Sequence, residues 1–473
     1  MMRNKSVRFH SASAWSLGLI VAIAVVCISA KPARSEDDPR KAQPRPPQVA
    51  EELTEEEYYE LLRLLADTMD QVERNYVKEV SRRELVEAAI EGVISKLDQY
   101  SNYIPPEDLD RFRSGVENEF GGIGIQVAIQ NGWLTITSPI VGTPAYRAGL
   151  MAGDVIIKIE GESTKGITLD EAVKKLKGKV GTSVTFTVRH PHADDEEAKE
   201  ETVKVKREIV RVDSVLGDTR LDDDSWNWYL DEEKKIAYIR LTSFSRRTAE
   251  DLRTAMRKLE SSSMRGLVLD LRFNPGGLLS SAVEVADMFV SEGVIVSTKG
   301  RNTPEKPRRA HKTGTYEGFP MAVLVNRYSA SASEIVSACL QDHERAIVVG
   351  ERSWGKGSVQ NIINMESGRS ALKLTTASYH RPSGLNIHRF DGASESDVWG
   401  VQPSEGFRVR LTDDEMGDLL DYRRKRDVVR GAEDETESDF VDKQLKKAVR
   451  YVLSELRETS DDPREAEPRP PRV

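Results

Sequence analysis

Cysteine is nearly absent, with only Cys27 and Cys339 in the whole chain. Cys27 lies in an apolar N-terminal segment, so loss of that segment would leave one thiol and no internal disulfide. Folding therefore does not depend on bridges, and cysteine usage names no compartment. Positive charge is not in excess either: the formal net charge is −9. A phosphate footprint needs clustered Lys and Arg, which argues against a general nucleic-acid binder. Apolar residues make up 38% and charged residues 31%, a balance that fits a soluble globular protein and not a multi-span membrane protein. At 473 residues the chain is too long for one ordinary core, and two or three domains are expected.

The only targeting signal is N-terminal. Arg3, Lys5 and Arg8 form a basic lead to an apolar run from Ala14 to Ala30, and Ile28-Ser29-Ala30 has the size pattern of a leader-peptidase site. This reads as a Sec-type signal peptide over 1–30. Its apolar run of about 17 residues is also at the lower limit for spanning a bilayer, so a retained single anchor stays open. Val26 is too bulky for Cys27 to be a lipoprotein cysteine.

Residues 31–52, with the tract Pro44-Arg45-Pro46-Pro47, read as a disordered linker. Helical periodicity follows over 53–100, carried by Leu61, Leu62, Leu64, Leu65, Met69 and Val72 and again by Leu85, Val86, Ala89, Ile90, Val93 and Leu97. These are packing faces, within the chain or between two chains. Pro105-Pro106 marks a stop, and an N-terminal helical segment is assigned to 53–115.

Over 116–208 the texture becomes strand-like. Gly121-Gly122-Ile123-Gly124-Ile125 enters a strand, and Trp133 to Thr137 alternates. Ala148-Gly149-Leu150 and Gly153-Asp154-Val155-Ile156 follow, then a short helix from Leu169 to Leu176. Strands at Val184–Val188 and Val203–Lys206 close the unit around the acidic stretch Asp194–Glu201. This pattern resembles a circularly permuted bacterial PDZ domain. The resemblance implies that Gly122, Ile123, Gly124 and Ile125 form a loop whose N–H groups hold a terminal carboxylate, with the peptide added as a strand. A tight turn is the plainer reading of the same glycines.

From 209 to 410 strands and helices alternate, an α/β texture. The tail, 411–473, is charged and partly helical, with Gln444 to Leu456 amphipathic. Residues 299–312 read as a basic, proline-containing loop.

Three clusters in the α/β region could carry chemistry. In Asp270-Leu271-Arg272-Phe273-Asn274-Pro275-Gly276-Gly277, two glycines at a strand-to-helix turn leave N–H groups able to stabilise an oxyanion, although most such turns are only turns. In Ser329-Ala330-Ser331-Ala332-Ser333-Glu334-Ile335, small residues surround a serine at a helix start, which suits an exposed nucleophile and equally suits a plain N-cap. Gly355-Lys356-Gly357-Ser358-Val359-Gln360 is one residue from a phosphate loop, but a hairpin pattern follows it where such a loop must open a helix. His343, His380 and His388 each stand alone, without a motif to orient them as a base.

Together the clusters resemble the carboxyl-terminal processing proteases, S41 serine peptidases with a PDZ domain. The resemblance runs from about Leu53 to Pro403. It implies a multidomain α/β (α+β) fold: an N-terminal helical segment, a permuted PDZ domain before an α/β Ser–Lys protease core, and a charged helical tail. It makes Ser331 the nucleophile, Lys356 the general base and Gln360 its orienter. Ala332 and Gly277, with Gly276 as the other choice, would form the oxyanion hole, and Asp342 matches an acidic position of some members, where a salt bridge or cap is an equal reading. Phe273 departs from a position that is often polar. No cofactor, metal or nucleic acid is implied. Expected partners are proteins or peptides held by their C-termini, a second copy through the N-terminal helices, and an accessory activator; the expected location is the periplasm or cell envelope. A lysine base must be neutral, and a shift from about 10.4 to about 7 is about 4.6 kcal/mol. Burial away from carboxylates supplies such a shift, and the immediate neighbours Gly355, Gly357 and Val359 bring no negative charge.

Overall fold

The computed structural model describes residues 53–190, 199–429 and 439–461. The signal or anchor segment, the linker, most of Asp194–Glu201 and the final proline-rich tract lie outside the described residues. Among the described residues, no helix is long and apolar enough to cross a membrane.

Helix α1 (Glu55–Asn75) stands as a body of its own up to Arg74. Glutamates fill its first turn and Arg74 its last, as the helix dipole favours. None of its residues is buried.

The helical stretch expected over 53–100 is in fact divided. Ser81 opens a second helix, α2 (Arg82–Ile94), through a capping box: Glu84 N–H donates to Ser81 Oγ at 3.1 Å, and Ser81 N–H donates to the Glu84 carboxylate at 3.2 Å. Pro105-Pro106 also starts structure rather than only stopping it. Pro106 is the first residue of α3 (Pro106–Glu117), where a missing N–H is no loss.

A two-stranded ribbon, Glu119–Gly122 against Glu208–Arg211, leads into and out of the PDZ-like unit. Its sheet runs Ile125–Gln130, Trp133–Pro139, Val155–Ile159, Ser183–His190, Lys199–Lys206. The short helix α4 (Pro144–Arg147) packs at one end, and α5 (Leu169–Leu176) approaches the edge strand Ile125–Gln130. Leu134, Ile136, Ile156 and Phe186 fill the core beneath.

The α/β core is built on four parallel strands in the order Ile236–Leu241, Gly266–Asp270, Met321–Val325, Ile347–Gly350. Their near-continuous apolar runs are explained by burial on both faces. Ala237, Ile239, Leu267, Leu269 and Val323 pack against α6 (Thr248–Ser261), α7 (Leu279–Asp287) and α8 (Ala332–Asp342). The alternate residues Tyr238, Val268, Ala322 and Leu324 pack against Ala448 and Val452. Those two belong to α10 (Lys443–Asp461), which with α9 (Asp413–Asp427) comes from the C-terminal tail. The amphipathic reading of Gln444–Leu456 therefore holds, but the tail is part of the core. A boundary at 410 would strip one face of the sheet. Gly266 allows the close approach: a Cβ there would lie 2.3 Å from Val452 Cγ1.

A second sheet joins Asn102–Ile104, Ser370–His380, Val294–Gly300 and Thr303–Arg309, and Ser358–Met365 pairs with Ser370–His380 through a turn at Glu366–Gly368. The basic stretch 299–312 is thus a hairpin and not a loop. Pro304 and Pro307 sit on its edge strand, where the outward side needs no ladder N–H. The multidomain α/β (α+β) fold expected from the sequence is the fold observed.

Candidate active site

The three clusters sit at the carboxyl ends of three adjacent parallel strands. Asp270 ends one strand and leads to the Asn-Pro-Gly-Gly turn, Val325 ends the next and leads to Ser331, and Gly350 ends the third and leads to Lys356. Chain connectivity alone would leave them 54 and 25 residues apart; the sheet makes them neighbours. Ligand sites in open α/β sheets form at this edge.

The Ser-Ala-Ser-Ala-Ser run is not low complexity in function. Ser329 Oγ donates to Leu271 O at 2.8 Å, and Ser333 Oγ donates to Asn274 O at 2.9 Å, so the outer two serines lace the run to the Asn-Pro-Gly-Gly turn. Asn274 in turn donates to Leu241 O at 2.9 Å and accepts Gly276 N–H at 2.9 Å. The middle serine, Ser331, has φ 55° and ψ −111°. A non-glycine residue there stores about 1–3 kcal/mol of strain, which surrounding bonds must hold.

Glu334 supplies the hold. Its carboxylate is fully buried and takes four donors: Ser331 N–H at 2.7 Å and Lys356 N–H at 2.8 Å on one oxygen, Ser353 Oγ at 2.5 Å and Gly355 N–H at 2.6 Å on the other. Burial pushes its pKa up to about 7, against the pull of those donors. Sequence reasoning passed over this residue. Ser331-x-x-Glu334 looks like an ordinary capping box; the signal that could have raised suspicion is the Ser353-Trp354-Gly355-Lys356 donors, which are distant in sequence. The structure also corrects the reading of Lys356 as free of negative neighbours.

Lys356 is half-buried. Burial lowers its pKa first and the charge of Lys373 lowers it further, while Glu334 works the other way. Its Nζ lies 5.0 Å from the centre of the Tyr100 ring. Ser331 and Lys356 line one cavity of about 960 Å³ with Gly276, Gly277, Gln360 and Tyr379. No hydrogen bond joins the two side chains in this state.

The glycines divide their tasks. A Cβ on Gly276 would lie 2.8 Å from Ser331 Cβ and 2.9 Å from Ala332 N, so only glycine fits against Ser331. Its N–H is occupied by Asn274. Among the described residues, neither Gly277 N–H nor Ala332 N–H donates to a protein group. Gln360 is in the cavity wall, but its amide donates to Ser358 Oγ at 2.8 Å and Thr375 Oγ1 at 3.3 Å and not to Lys356. The expected direct bond to the lysine is therefore absent, because Gln360 faces its hairpin partner Thr375. Asp342 lies at the far end of α8, where burial opposes its ionisation but Arg381 and Ser383 N–H outweigh it and hold the carboxyl below its usual range. It is a salt bridge, with Arg381 at 2.5 Å. Phe273 stacks on Tyr328 with ring centres 5.6 Å apart. His343 bonds Val294 O, His380 bonds Ser378 and Gly384, and His388 packs on Phe390; none reaches Ser331. A strand, Ser358–Met365, follows Gly357, so no phosphate loop is formed. Among the described residues, no group of three His, Cys, Asp or Glu is placed to hold a metal.

In the PDZ-like unit, Ile123 and Gly124 have backbone N–H groups without a backbone partner among the described residues, while their carbonyls accept from Ala145 and Ile140. Ile125 begins the edge strand, and Gly122 is paired with Glu208 in the ribbon.

A strained serine at a helix start, with free N–H groups beside it, and a half-buried lysine line one cavity. A family model for peptidase family S41 matches residues 235–402, one for a PDZ domain matches 135–190, and one for the N-terminal domain of the activating protease CtpB matches 23–108. The carboxy-terminal-processing protease of Bartonella bacilliformis is 37% identical over 411 residues, covering 85% of this chain and 90% of that protein. A probable CtpA-like serine protease of Staphylococcus aureus is 36% identical over 317 residues, covering 66% of this chain and 60% of that protein. Among solved structures, the photosystem II D1 C-terminal processing protease is 26% identical with a TM-score of 0.43, covering 80% of this chain and 99% of that one. The peptide-bound PDZ domain of the Vibrio cholerae carboxy-terminal protease is 31% identical with a TM-score of 0.18, covering 20% of this chain and 99% of that one. The chain belongs to the carboxy-terminal-processing proteases of peptidase family S41, and it is a serine peptidase with a PDZ domain.

Proposed function

We propose that this chain is an endopeptidase that cuts exported proteins near their C-termini with a Ser331–Lys356 dyad. The observation that carries the reading is the shared Glu334 oxygen, which ties the backbones of Ser331 and Lys356 together at the mouth of one cavity. Neutral Lys356 takes the Ser331 hydroxyl proton as Oγ attacks the scissile carbonyl. The new oxyanion receives the N–H groups of Gly277 and Ala332. Lys356 then gives its proton to the departing amine, and water hydrolyses the acyl-serine with the lysine again acting as base. Gly276 serves by its lack of a side chain. Gln360 acts on the lysine through the hairpin, by holding Ser358 and Thr375.

The PDZ unit captures the substrate's terminal carboxylate at Ile123 and Gly124, and the peptide adds to the edge strand Ile125–Gln130 beside α5. Such capture also gates the protease site. The domain limits 53–115, 116–208 and 209–410 stand as the proposed organisation, with the core extended through α10. The exposed Leu61, Leu62, Leu64 and Leu65 of α1 seat a second copy of the chain. The basic and apolar leader directs export to the periplasm or envelope, by cleavage or as a single anchor, and an accessory protein activates the enzyme there.

The test is degradation of an unfolded substrate with an apolar C-terminus by residues 36–473, run with wild type, Ser331→Ala and Lys356→Ala, and repeated with the C-terminus masked. Cleavage by wild type alone, slowed by masking, supports the dyad and the capture step. Equal cleavage by all three chains would overturn the dyad. Sedimentation of wild type against a Leu61→Glu, Leu65→Glu chain tests the dimer.

A further inference from the structure

The catalytic cavity holds a second lysine that the dyad does not use. Lys373 lies mid-strand in Ser370–His380, opposite Ile362 on one side and Asn102 on the other. It lines the same cavity as Ser331 and Lys356, while its chain neighbours Leu372 and Leu374 do not, as strand alternation requires. The other cation in the wall, Arg111, has Asp108 at 3.3 Å. The Lys373 ammonium has no hydrogen bond or ion pair among the described residues.

The groups around Lys356 make this unpaired cation significant. Glu334 and the face of the Tyr100 ring both favour the ammonium form of Lys356. Asp98, which accepts the Tyr100 N–H at 2.7 Å, is a carboxylate held low, its burial outweighed by the Tyr100 and Ser101 donors. Tyr103, Tyr379 and the Arg111–Asp108 pair line the cavity, and His388 stands behind Gly357. Against these, burial of Lys356 is only partial. Apart from Lys356 itself, Lys373 is the one unpaired cation in that wall among the described residues.

We propose that Lys373 is a positioning residue for catalysis, an unpaired cation built into the cavity wall that keeps the Lys356 amine unprotonated. The proposal rests on the dyad reading above. Like charge beside a lysine base is a recognised way to free its lone pair. Two like charges on the wall of one cavity, at an effective dielectric of about 20–40, repel by on the order of one pH unit. The base role falls to Lys356 because its backbone is tied to that of Ser331, whereas Lys373 is fixed across the hairpin.

The experiment uses the full chain and a short, uncharged, C-terminally amidated peptide, so that neither lysine meets a substrate carboxylate. kcat/KM is followed from pH 5 to 10 for wild type, Lys373→Met, Lys373→Gln and Lys373→Arg, with the rate of Ser331 modification by a neutral sulfonyl fluoride as a second readout. In the Met and Gln chains the acid limb moves up by about one pH unit. Activity at pH 6 then falls about tenfold, the plateau at high pH is kept, and the Arg chain restores the wild-type limb. An acid limb that stays in place in a folded Met or Gln chain overturns the proposal. So does an equal loss at every pH, which would mark a structural or substrate-binding role. Activity surviving in Ser331→Ala or Lys356→Ala would instead sink the dyad reading itself, a different outcome in different chains.

Discussion

Replacing Glu334 with Gln is the sharpest test of how the site is held. The substitution keeps shape and volume and turns one acceptor oxygen into an NH2 donor. In the cheaper orientation the NH2 faces Ser353, whose hydroxyl can rotate to accept, and Gly355 N–H loses its acceptor. That loss is about 1.5–3 kcal/mol. The bonds from Ser331 N–H and Lys356 N–H persist but go to a neutral oxygen, at roughly half their strength. The sum is about 3 kcal/mol, or about a hundredfold, divided between kcat/KM and folding stability. A pH signature accompanies it. The carboxyl's pKa is raised from 4.5 to about 7 in the fold, so the folded state holds more protons than the unfolded between those values. Its contribution to stability is full below about pH 4.5 and is lost as pH rises to about 7, by at most about 3.4 kcal/mol. The assay is peptide kcat/KM together with urea unfolding from pH 4.5 to 8. Wild type should show that slope and Glu334→Gln should lack it. A variant with kcat/KM within threefold of wild type and an unchanged urea midpoint at pH 7 would refute the account of Glu334 as the tie.

Asp342→Asn should cost about 1–3 kcal/mol of stability, since Arg381 loses its main partner, while kcat/KM stays within about threefold; a hundredfold loss of activity would return Asp342 to the chemistry. Gly266→Ala should destabilise by about 1–3 kcal/mol through its clash with Val452. Val452→Ala alone should cost about 2 kcal/mol, and urea unfolding of the double variant should give less than the sum by at least about 1 kcal/mol.

Elements were legible where both period and length were strong: Leu169–Leu176 in the PDZ unit and Met321–Val325 in the α/β core are observed with the boundaries the pattern suggests. Ser331, Lys356 and the glycine pair were legible as motifs. What was not legible is non-local. The break before Ser81 is set by one capping box inside an apolar period that runs on. The hairpin over 299–312 looked like a loop because two prolines and many cations lower strand propensity, yet an edge strand tolerates both. Gln360 had the spacing of an orienting residue, but the register of the hairpin gives it Thr375 instead. Glu334 was hidden because the same four residues serve a local cap and a distant donor set at once.

The tail shows why such non-local terms decide function. Arg272, at the start of the Asn-Pro-Gly-Gly turn, is buried to the last atom of its side chain, and such a charge persists only if fully partnered. Asp270, two residues earlier, gives part of the answer, held ionised well below the usual carboxylate range by Arg272 and Arg423 in spite of its burial. The rest comes from 170 residues away: Asp442 accepts from Arg272 at 2.7 and 2.9 Å, and Gln444 accepts at 3.0 Å while donating to Val409 O. Arg423 of α9 bonds Asp270 as well. The turn that offers Gly277 N–H is therefore clamped by two helices that a sequence-based boundary at 410 would discard. A chain ending at 410 would leave Arg272 with one partner and expose Tyr238, Val268 and Leu324 to water. Breaking a buried pair in this way costs about 3–5 kcal/mol before any apolar loss is counted, a large fraction of a typical domain's stability. Such a chain should be insoluble or unfolded by circular dichroism. A soluble, active 36–410 fragment would mean that the protease turn holds its shape without the tail and that the clamp is incidental.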